Sequence, residues 1–178
     1  VDREGHLWFV HPAGLIRYDG IEVQSFPVEK FRFEGATDLF ISRSGLIAIP
    51  SSDGLHLWDE GEFTSYDQPG YLLGGRNTIA EDARGRLFTI SLGTGKLLRI
   101  EGTRLVPMDI DLRGPTSILF DQQSNLWIVE SGRKRIRVVQ LIEEEGRLEC
   151  QTLLTIPSHS GTQFPARLFE DSEGRVWV

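Results

Sequence analysis

A seven-residue pattern recurs about every forty residues along this chain of 178 residues. Its fullest form is Asp, two polar residues, Gly, a variable residue, Leu and an aromatic residue, and the copies start near residues 2, 42, 82, 121 and 171. The Gly position is taken in turn by Gly5, Gly45, Gly85, Ser124 and Gly174. A fixed period of this size predicts an array with one small supersecondary unit per repeat.

A second motif follows each of the first four copies at a near-constant offset. It reads GLIRYDG at 14–20, GLHLWD at 54–59, KLLRIEG at 96–102 and, with basic residues replacing the aromatic and acidic turn, GRKRIRV at 132–138. In the first motif, an Asp that can accept backbone amides and a Gly that tolerates positive φ predict a tight turn. Aromatic and β-branched residues flanking the turns predict short strands. Each repeat is therefore interpreted as two successive hairpins.

The two-hairpin repeat predicts an all-β fold, because no segment keeps apolar residues at helical spacing for more than two turns. A single sheet of this kind cannot bury both of its faces, whereas blades arranged radially pack face against face. We therefore predict a β-propeller, with residues 1–178 forming an open arc of about four four-stranded antiparallel blades. Residues 1–10 and 167–178 would both supply a second blade strand. The chain is thus expected to be a fragment of a longer protein with a larger, seven-bladed ring.

Composition excludes several classes of protein. The chain is 39% hydrophobic and 25% charged, which is typical of a folded globular protein, and it has no apolar run long enough to span a bilayer. Cys150 is the single cysteine, so neither an intrachain disulfide nor a cysteine zinc site is expected. The net charge of -7 argues against nucleic acid as a partner.

One position of the repeat carries large aromatic residues, namely Trp8, Phe88, Trp127 and Trp177. A large ring at a repeat-locked position predicts packing between neighbouring sheets. Ala48 interrupts the series, and we expect Trp58 on the adjacent strand to compensate for the missing ring.

The first copy resembles the two-component regulator propeller repeat, through residues 2–20 together with Phe26, and residues 169–178 look like the start of another copy. The resemblance implies a ligand-sensing, non-catalytic segment of an extracytoplasmic, periplasmic sensor whose full-length form is a histidine kinase. It also implies neighbouring propeller blades in the same protein, a small-molecule or oligosaccharide ligand, no cofactor, no membrane contact in this segment and a homodimer of the intact sensor.

The fourth copy, at residues 125–136, is instead similar to the repeats of NHL propellers and of streptogramin lyases. Two alternatives therefore stay open, a protein-binding propeller scaffold and a propeller enzyme of the lyase type. A lyase of that type needs a His and acidic residues gathered around a metal, and the resemblance supplies no such set.

Histidines and turn aspartates are the first candidates for chemistry. The four histidines, at 6, 11, 56 and 159, occupy different places in the repeat, whereas a metal or acid–base cluster needs residues that converge on one face. The turn aspartates, at 2, 82, 121 and 171, are single carboxylates in separate turns, so turn stabilisation is favoured over calcium binding. No catalytic residue and no metal site is predicted.

The basic cluster of Arg133, Lys134, Arg135 and Arg137 is interpreted as a solvated or interblade-paired face opposite the acidic run at 143–145, with an anion site as the alternative. Ligand contacts are expected instead in the connections between blades, which surround the channel of a propeller. The candidates that could bond a sugar are Tyr71, Arg76, Arg113, His159 and Gln163, and the candidate stacking rings are Phe31 and Phe33.

Overall fold

The computed structural model describes residues 1–11, 14–27, 36, 38–52, 54–66, 71, 73–75, 77–102, 104–110, 112–132, 135–144, 147–157 and 167–178. Every regular element in these ranges is a β-strand, as the repeat predicts. Within them, no helix is long and apolar enough to cross a membrane.

The strands form five antiparallel sheets in chain order, which we call blades 1 to 5. Blade 1 contains β1 (Leu7–His11), β2 (Gly14–Tyr18) and β3 (Val23–Pro27). Blade 2 contains β4 (Phe40–Ile41), β5 (Ile47–Ser51), β6 (Gly54–Asp59) and β7 (Glu62–Tyr66). Blade 3 contains β8 (Ile79–Glu81), β9 (Leu87–Ile90), β10 (Leu97–Glu101) and β11 (Arg104–Pro107).

Blade 4 contains β12 (Pro115–Phe120), β13 (Leu126–Ser131), β14 (Arg135–Glu144) and β15 (Arg147–Pro157), and blade 5 contains β16 (Phe169–Glu170) and β17 (Val176–Trp177). Strands that follow one another within a blade are neighbours in its sheet. The blades follow one another as an open arc of a propeller, so the predicted fold class is confirmed.

Hydrophobic clusters of the described residues lie between neighbouring blades. Leu97 and Leu98, adjacent on β10, illustrate the arrangement: Leu97 joins the cluster shared with blade 4, and Leu98 joins the cluster shared with blade 2. Successive side chains of a strand point to opposite faces of the sheet, so a blade between two others is buried on both faces. Both leucines are at most 1% exposed. Stability therefore comes from contacts between blades.

The repeated aromatic position does not have one environment. Phe88 is 6% exposed between blades 3 and 4, which confirms the prediction of burial there. Trp8 and Trp127 are half-buried. Trp177 is 56% exposed, so the prediction that it is buried between blades is wrong in this structure. No described blade surface covers it.

Trp58 does not fill the place left by the missing ring at Ala48. It packs with Trp8 and Phe26, at ring-centroid distances of 4.9 and 5.4 Å, in the interface of blades 1 and 2. Ala48 faces the other way, into the interface with blade 3, where Tyr66 belongs to the same buried cluster. The two side chains lie on opposite faces of blade 2, so the expected compensation by Trp58 is wrong.

The Asp and the Trp of the repeat form one hydrogen-bonded unit. In blade 5, Oδ1 of Asp171 accepts the backbone amides of Glu173 and Arg175, each at 3.0 Å. Oδ2 of Asp171 accepts the Trp177 indole Nε1 at 2.8 Å and the Arg175 Nε at 2.8 Å. Gly174 takes a φ of 76°, which closes the turn. The predicted turn-stabilising role of the aspartate is confirmed.

The other copies keep both parts of this unit, keep the Asp alone, or lose both parts. Trp127 donates to Asp121 at 2.7 Å, as Trp8 does to Asp2. Blade 2 has Ser42 and Ala48 in place of the Asp and the Trp. Blade 3 keeps Asp82 but has Phe88 in place of the Trp, and there the Arg86 Nε donates to Oδ2 of Asp82 at 2.6 Å, so a side chain other than the indole can serve the second carboxylate oxygen.

Acid should loosen the turns of Asp2 and Asp171 only below a pH of about 4. Partial burial opposes ionisation of Asp2, but hydrogen bonds from Trp8 and His6 outweigh it and lower its pKa from 3.8 to about 2. The Trp177 indole and the Arg175 side chain lower the pKa of Asp171 to about 2. Since both folded pKa values lie below the unfolded value, the stabilisation is complete above a pH of about 4 and is lost as the pH falls toward about 2.

Carboxyl NMR titration of the Trp177→Phe variant checks this expectation. Removing the indole donor should raise the pKa of Asp171 toward 3.8 and leave the pKa of Asp2 near 2. Trp8→Phe should instead raise the pKa of Asp2 toward 3.8 and leave the pKa of Asp171 near 2. An Asp171 pKa that is the same in wild type and Trp177→Phe would show that the indole does not hold the carboxylate.

Arg137 has a partner other than the one predicted. Its Nη2 lies 2.6 Å from Oε2 of Glu130, directly across β13 and β14, and Glu130 is 3% exposed. Oε1 of Glu130 accepts the backbone amide of Arg113 at 2.6 Å. The expected solvated or interblade-paired role is therefore wrong for Arg137, because its partner lies on the neighbouring strand of the same blade. Residues 133 and 134 and the side chain of residue 135 lie outside what the structure describes.

Candidate functional site

A cavity of about 500 Å³ lies at the centre of the arc, where the innermost strands of the blades face one another. We call it the central channel. Inner strands β4, β8 and β12 form most of its wall, and Glu170 of β16 completes it. Its polar or aromatic lining includes Asp38, Phe40, Arg43, Asn77, Glu81, Phe120, Asp121 and Glu170. The volume lies within the range typical of small-molecule sites.

Asn77 links several blades at the end of the channel where the inner strands begin. Its backbone amide donates to Oδ2 of Asp38 at 2.8 Å, and its carbonyl accepts the amide of Ile118 at 2.8 Å. Its Nδ2 donates to the carbonyl of Leu168 at 3.0 Å. Asn77 adopts a φ of 54°, a left-handed conformation that Asn tolerates better than most residues. One side chain and its backbone thus connect blades 2, 3, 4 and 5 around the channel.

Glutamates link blades at the other end of the channel. Glu81, with a side chain 8% exposed, accepts the backbone amide of Arg43 at 2.7 Å, and the Arg43 Nε lies 3.4 Å from the same oxygen. Glu170 accepts the backbone amide of Gln122 at 3.1 Å. Each glutamate directly precedes the Asp of its repeat and bonds the turn of the preceding blade. A repeated polar contact therefore fixes the spacing of neighbouring blades.

The charge lining the channel is predominantly negative. Asp38, Glu81, Asp121 and Glu170 contribute carboxylates, and Arg43 is the cation among its lining residues. Carboxylates accept hydrogen bonds from hydroxyl and ammonium groups and repel phosphate. The half-buried rings of Phe40 and Phe120 offer apolar surface beside them. The lining is therefore suited to a neutral polyhydroxylated ligand or a cation.

Two of the predicted ligand residues lie in the described ranges. Tyr71 is half-buried and packs against the cluster that contains Ala48 and Leu73, so truncating it would disturb the core. Arg113 is exposed. Neither lines the central channel. Arg76, His159, Gln163, Phe31 and Phe33 lie outside the described residues, and ligand contact by all seven stays a prediction.

Histidines of the described ranges take part in local structure. His56 is 3% exposed, and its ring nitrogens lie 3.0 Å from Oγ of Ser51 and 2.7 Å from Oγ of Ser65. His6 Nδ1 lies 3.1 Å from Oδ2 of Asp2 and 3.3 Å from Oε2 of Glu4.

Asp2, Glu4 and His6 bring three potential metal-ligand atoms within 4.8 Å of one another. The Oδ2 atom of Asp2 already accepts the Trp8 indole at 2.7 Å. The turn itself therefore accounts for this cluster.

Sequence reasoning missed the residues that line the channel. A signal existed for two of them, because Glu81 and Glu170 occupy the same place directly before the repeat Asp. Asp38 and Asn77 carry no such signal. Their partners come from other blades, and only the assembled arc brings these groups together.

Comparison with solved structures supports the propeller assignment. Virginiamycin B lyase from Staphylococcus aureus matches with a TM-score of 0.74 and 15% identity, over 99% of this chain and 60% of the lyase. Extracellular domains of two proteins assigned as hybrid two-component systems of B. thetaiotaomicron match with TM-scores of 0.68 and 0.66, each at 18% identity. Both alignments cover 99% of this chain, but 24% and 25% of the respective partners.

No protein-family model and no curated protein sequence matches the chain. At these identities the structural likeness establishes the fold. The expected similarity to both sensor propellers and lyase propellers is confirmed at that level. The chain is a β-propeller segment that spans about 60% of the lyase and about a quarter of the two-component proteins.

Proposed function

We propose that the chain is the ligand-sensing, non-catalytic propeller segment of an extracytoplasmic two-component sensor. The observation that carries the proposal is the central channel, a cavity of about 500 Å³ whose wall joins four blades. The likeness of the chain to extracellular domains assigned to hybrid two-component systems supports an extracytoplasmic sensor. In this proposal the intact sensor is a periplasmic histidine kinase and a homodimer, and the propeller supplies its input signal.

The proposed ligand is an oligosaccharide or a similar polyhydroxylated small molecule. Carboxylates of Asp38 and Glu170 would accept its hydroxyl protons, and the ring of Phe40 would pack against its apolar face. Binding inside the channel would change the free energy of contacts between blades, because Asn77 and the glutamates that line it also join those blades. A ligand can shift a protein between states only through such differential contacts.

A screen of plant and microbial oligosaccharides by thermal denaturation tests the proposal. We expect at least one to raise the midpoint of unfolding, since a ligand bound to the folded chain stabilises it. Asp38→Asn and Glu170→Gln should each weaken binding of that oligosaccharide by about tenfold or more, because each removes a charged acceptor. Calorimetric titration measures the change.

Glu173→Gln is the matched control, because Glu173 is exposed in the turn of blade 5 and does not line the channel. It should bind the oligosaccharide as wild type does. If Arg113→Ala and Tyr71→Phe weaken binding instead, the ligand lies among the blade connections. Failure of every oligosaccharide to bind would overturn the proposed ligand class.

A lyase-type enzyme is the second candidate, favoured by the TM-score of 0.74 with virginiamycin B lyase. Product analysis distinguishes the sensor from the enzyme. Mass spectrometry of the bound oligosaccharide after long incubation should recover it unchanged if the segment senses it, whereas a cleaved product would establish an enzyme.

A further inference from the structure

A second cavity, of about 710 Å³, lies between blades 3 and 4. It is bounded by the Asp-containing turn before β9 and by the equivalent turn before β13, and neither Tyr71 nor Arg113 lines it. We call it the interblade cavity. Phe120 lines both this cavity and the central channel.

One wall of the interblade cavity is apolar. Phe88, Leu97, Leu126 and Leu141 line it, and each is at most 8% exposed. The Phe88 and Phe120 rings lie 5.3 Å apart with a tilt of 56°. A flat apolar group entering here would replace water against rings and aliphatic side chains, which is favourable.

The other wall is cationic. Arg84, Arg86 and Arg99 line the cavity together with a single acid, Asp82. Arg86 Nε and Nη2 both lie 2.6 Å from Oδ2 of Asp82, and its guanidinium stands 5.7 Å from the Phe88 ring centroid. Arg86 is therefore already paired and holds the turn.

Arg84 and Arg99 retain donors for a ligand. Within the described ranges, Arg84 is exposed and has no carboxylate within ion-pair distance. Arg99 pairs through Nη2 with Glu101, but its Nε is buried without a hydrogen-bond partner. A buried donor left unpaired is costly, and a ligand acceptor would relieve that cost.

We propose that the interblade cavity binds a small aromatic carboxylate. The carboxylate would accept from Arg84 and Arg99, whose planar guanidinium groups match its two oxygens, and the ring would lie against Phe88 and Phe120. An inorganic anion would leave the apolar wall facing water. A polyanion would meet the net charge of -7 on the chain. This site does not rest on the sensor proposal; it shares Phe120 with the central channel, but Arg84 and Arg99 line the interblade cavity and not the channel.

Calorimetric titration of the full-length chain with benzoate and with benzamide tests the proposal. Benzamide keeps the ring and lacks the charge, so it should bind at least about tenfold more weakly than benzoate. Arg84→Gln and Arg99→Gln should each weaken benzoate binding by about tenfold or more. Arg104→Gln, which removes an exposed arginine of β11 outside both cavities, should leave benzoate binding unchanged.

Several results would overturn this site. One is the absence of benzoate binding at millimolar concentration. The others are an affinity for benzamide or for inorganic phosphate equal to that for benzoate, and a loss of benzoate affinity in Arg104→Gln equal to that in Arg84→Gln and Arg99→Gln. Thermal denaturation of each variant checks that it is folded. If Arg99→Gln does not fold, the exposed Arg84→Gln substitution decides the question by itself. Oligosaccharide binding in the central channel is measured separately, so failure here leaves that proposal intact.

Discussion

Phe88→Ala should lower the free energy of unfolding by about 3–5 kcal/mol. The ring is 6% exposed and belongs to the cluster shared by blades 3 and 4. Truncation removes its transfer free energy and leaves a cavity that the neighbouring strands cannot close, because their hydrogen bonds hold them in place. The loss should appear as a lower midpoint of urea unfolding.

Trp177→Ala is the matched control, because Trp177 takes the same position of the repeat but is 56% exposed. Most of its surface already contacts water, so in this chain the substitution should cost much less than Phe88→Ala. Equal losses in the free energy of unfolding of the two variants would show that the place of the ring in the repeat, and not its burial in the assembled arc, sets its contribution to stability.

Arg137→Met should destabilise the chain by about 3–5 kcal/mol, because it leaves the Glu130 carboxylate buried without its counter-ion. Glu130 is 3% exposed, and its Oε2 lies 2.6 Å from the Arg137 Nη2. The backbone amide of Arg113 bonds the other oxygen and cannot replace the lost positive charge. Chemical denaturation gives the free energy of unfolding.

The double variant Glu130→Leu/Arg137→Met distinguishes loss of the whole ion pair from loss of one of its two charges. Removing both charges leaves no buried ion, so this variant should unfold within about 2 kcal/mol of wild type. A double-mutant cycle then gives a large coupling energy between the two positions. If Arg137→Met alone costs under about 1 kcal/mol, water reaches Glu130 and the ion pair is not essential to blade 4.

The fold could be predicted from the sequence because its signals are local. An Asp, a Gly and a following aromatic residue within seven positions specify one turn, and the turn of blade 5 has the predicted form, with Asp171 bonding amides two and four residues ahead. Recurrence of that turn about every forty residues is sufficient to infer stacked sheets. The fifty-residue interval before the last copy corresponds to the long hairpin of β14 and β15, with strands of 10 and 11 residues.

Pairing between distant residues could not be predicted in this way. Glu130 is adjacent to Arg137 because of the register of β13 and β14, and that register is not visible in the charge pattern of 133–145. Trp58 meets Trp8 because alternation along β6 turns it toward blade 1. A shift of one residue in a strand reverses the face of every side chain, so small differences in strand bounds decide such contacts.

By itself, the sequence determined the all-β propeller fold, the repeat of its blades and the turn in which each Asp is held, since these depend on residues close together in the chain. The tertiary structure alone decided the central channel, the interblade cavity and the burial of each repeated aromatic ring. Asp38, Asn77 and Leu168 belong to three different blades and are joined by hydrogen bonds at 2.8 and 3.0 Å. The reason is physical: a cavity between blades is formed by surfaces whose separation and rotation follow from packing, and no local pattern encodes either quantity.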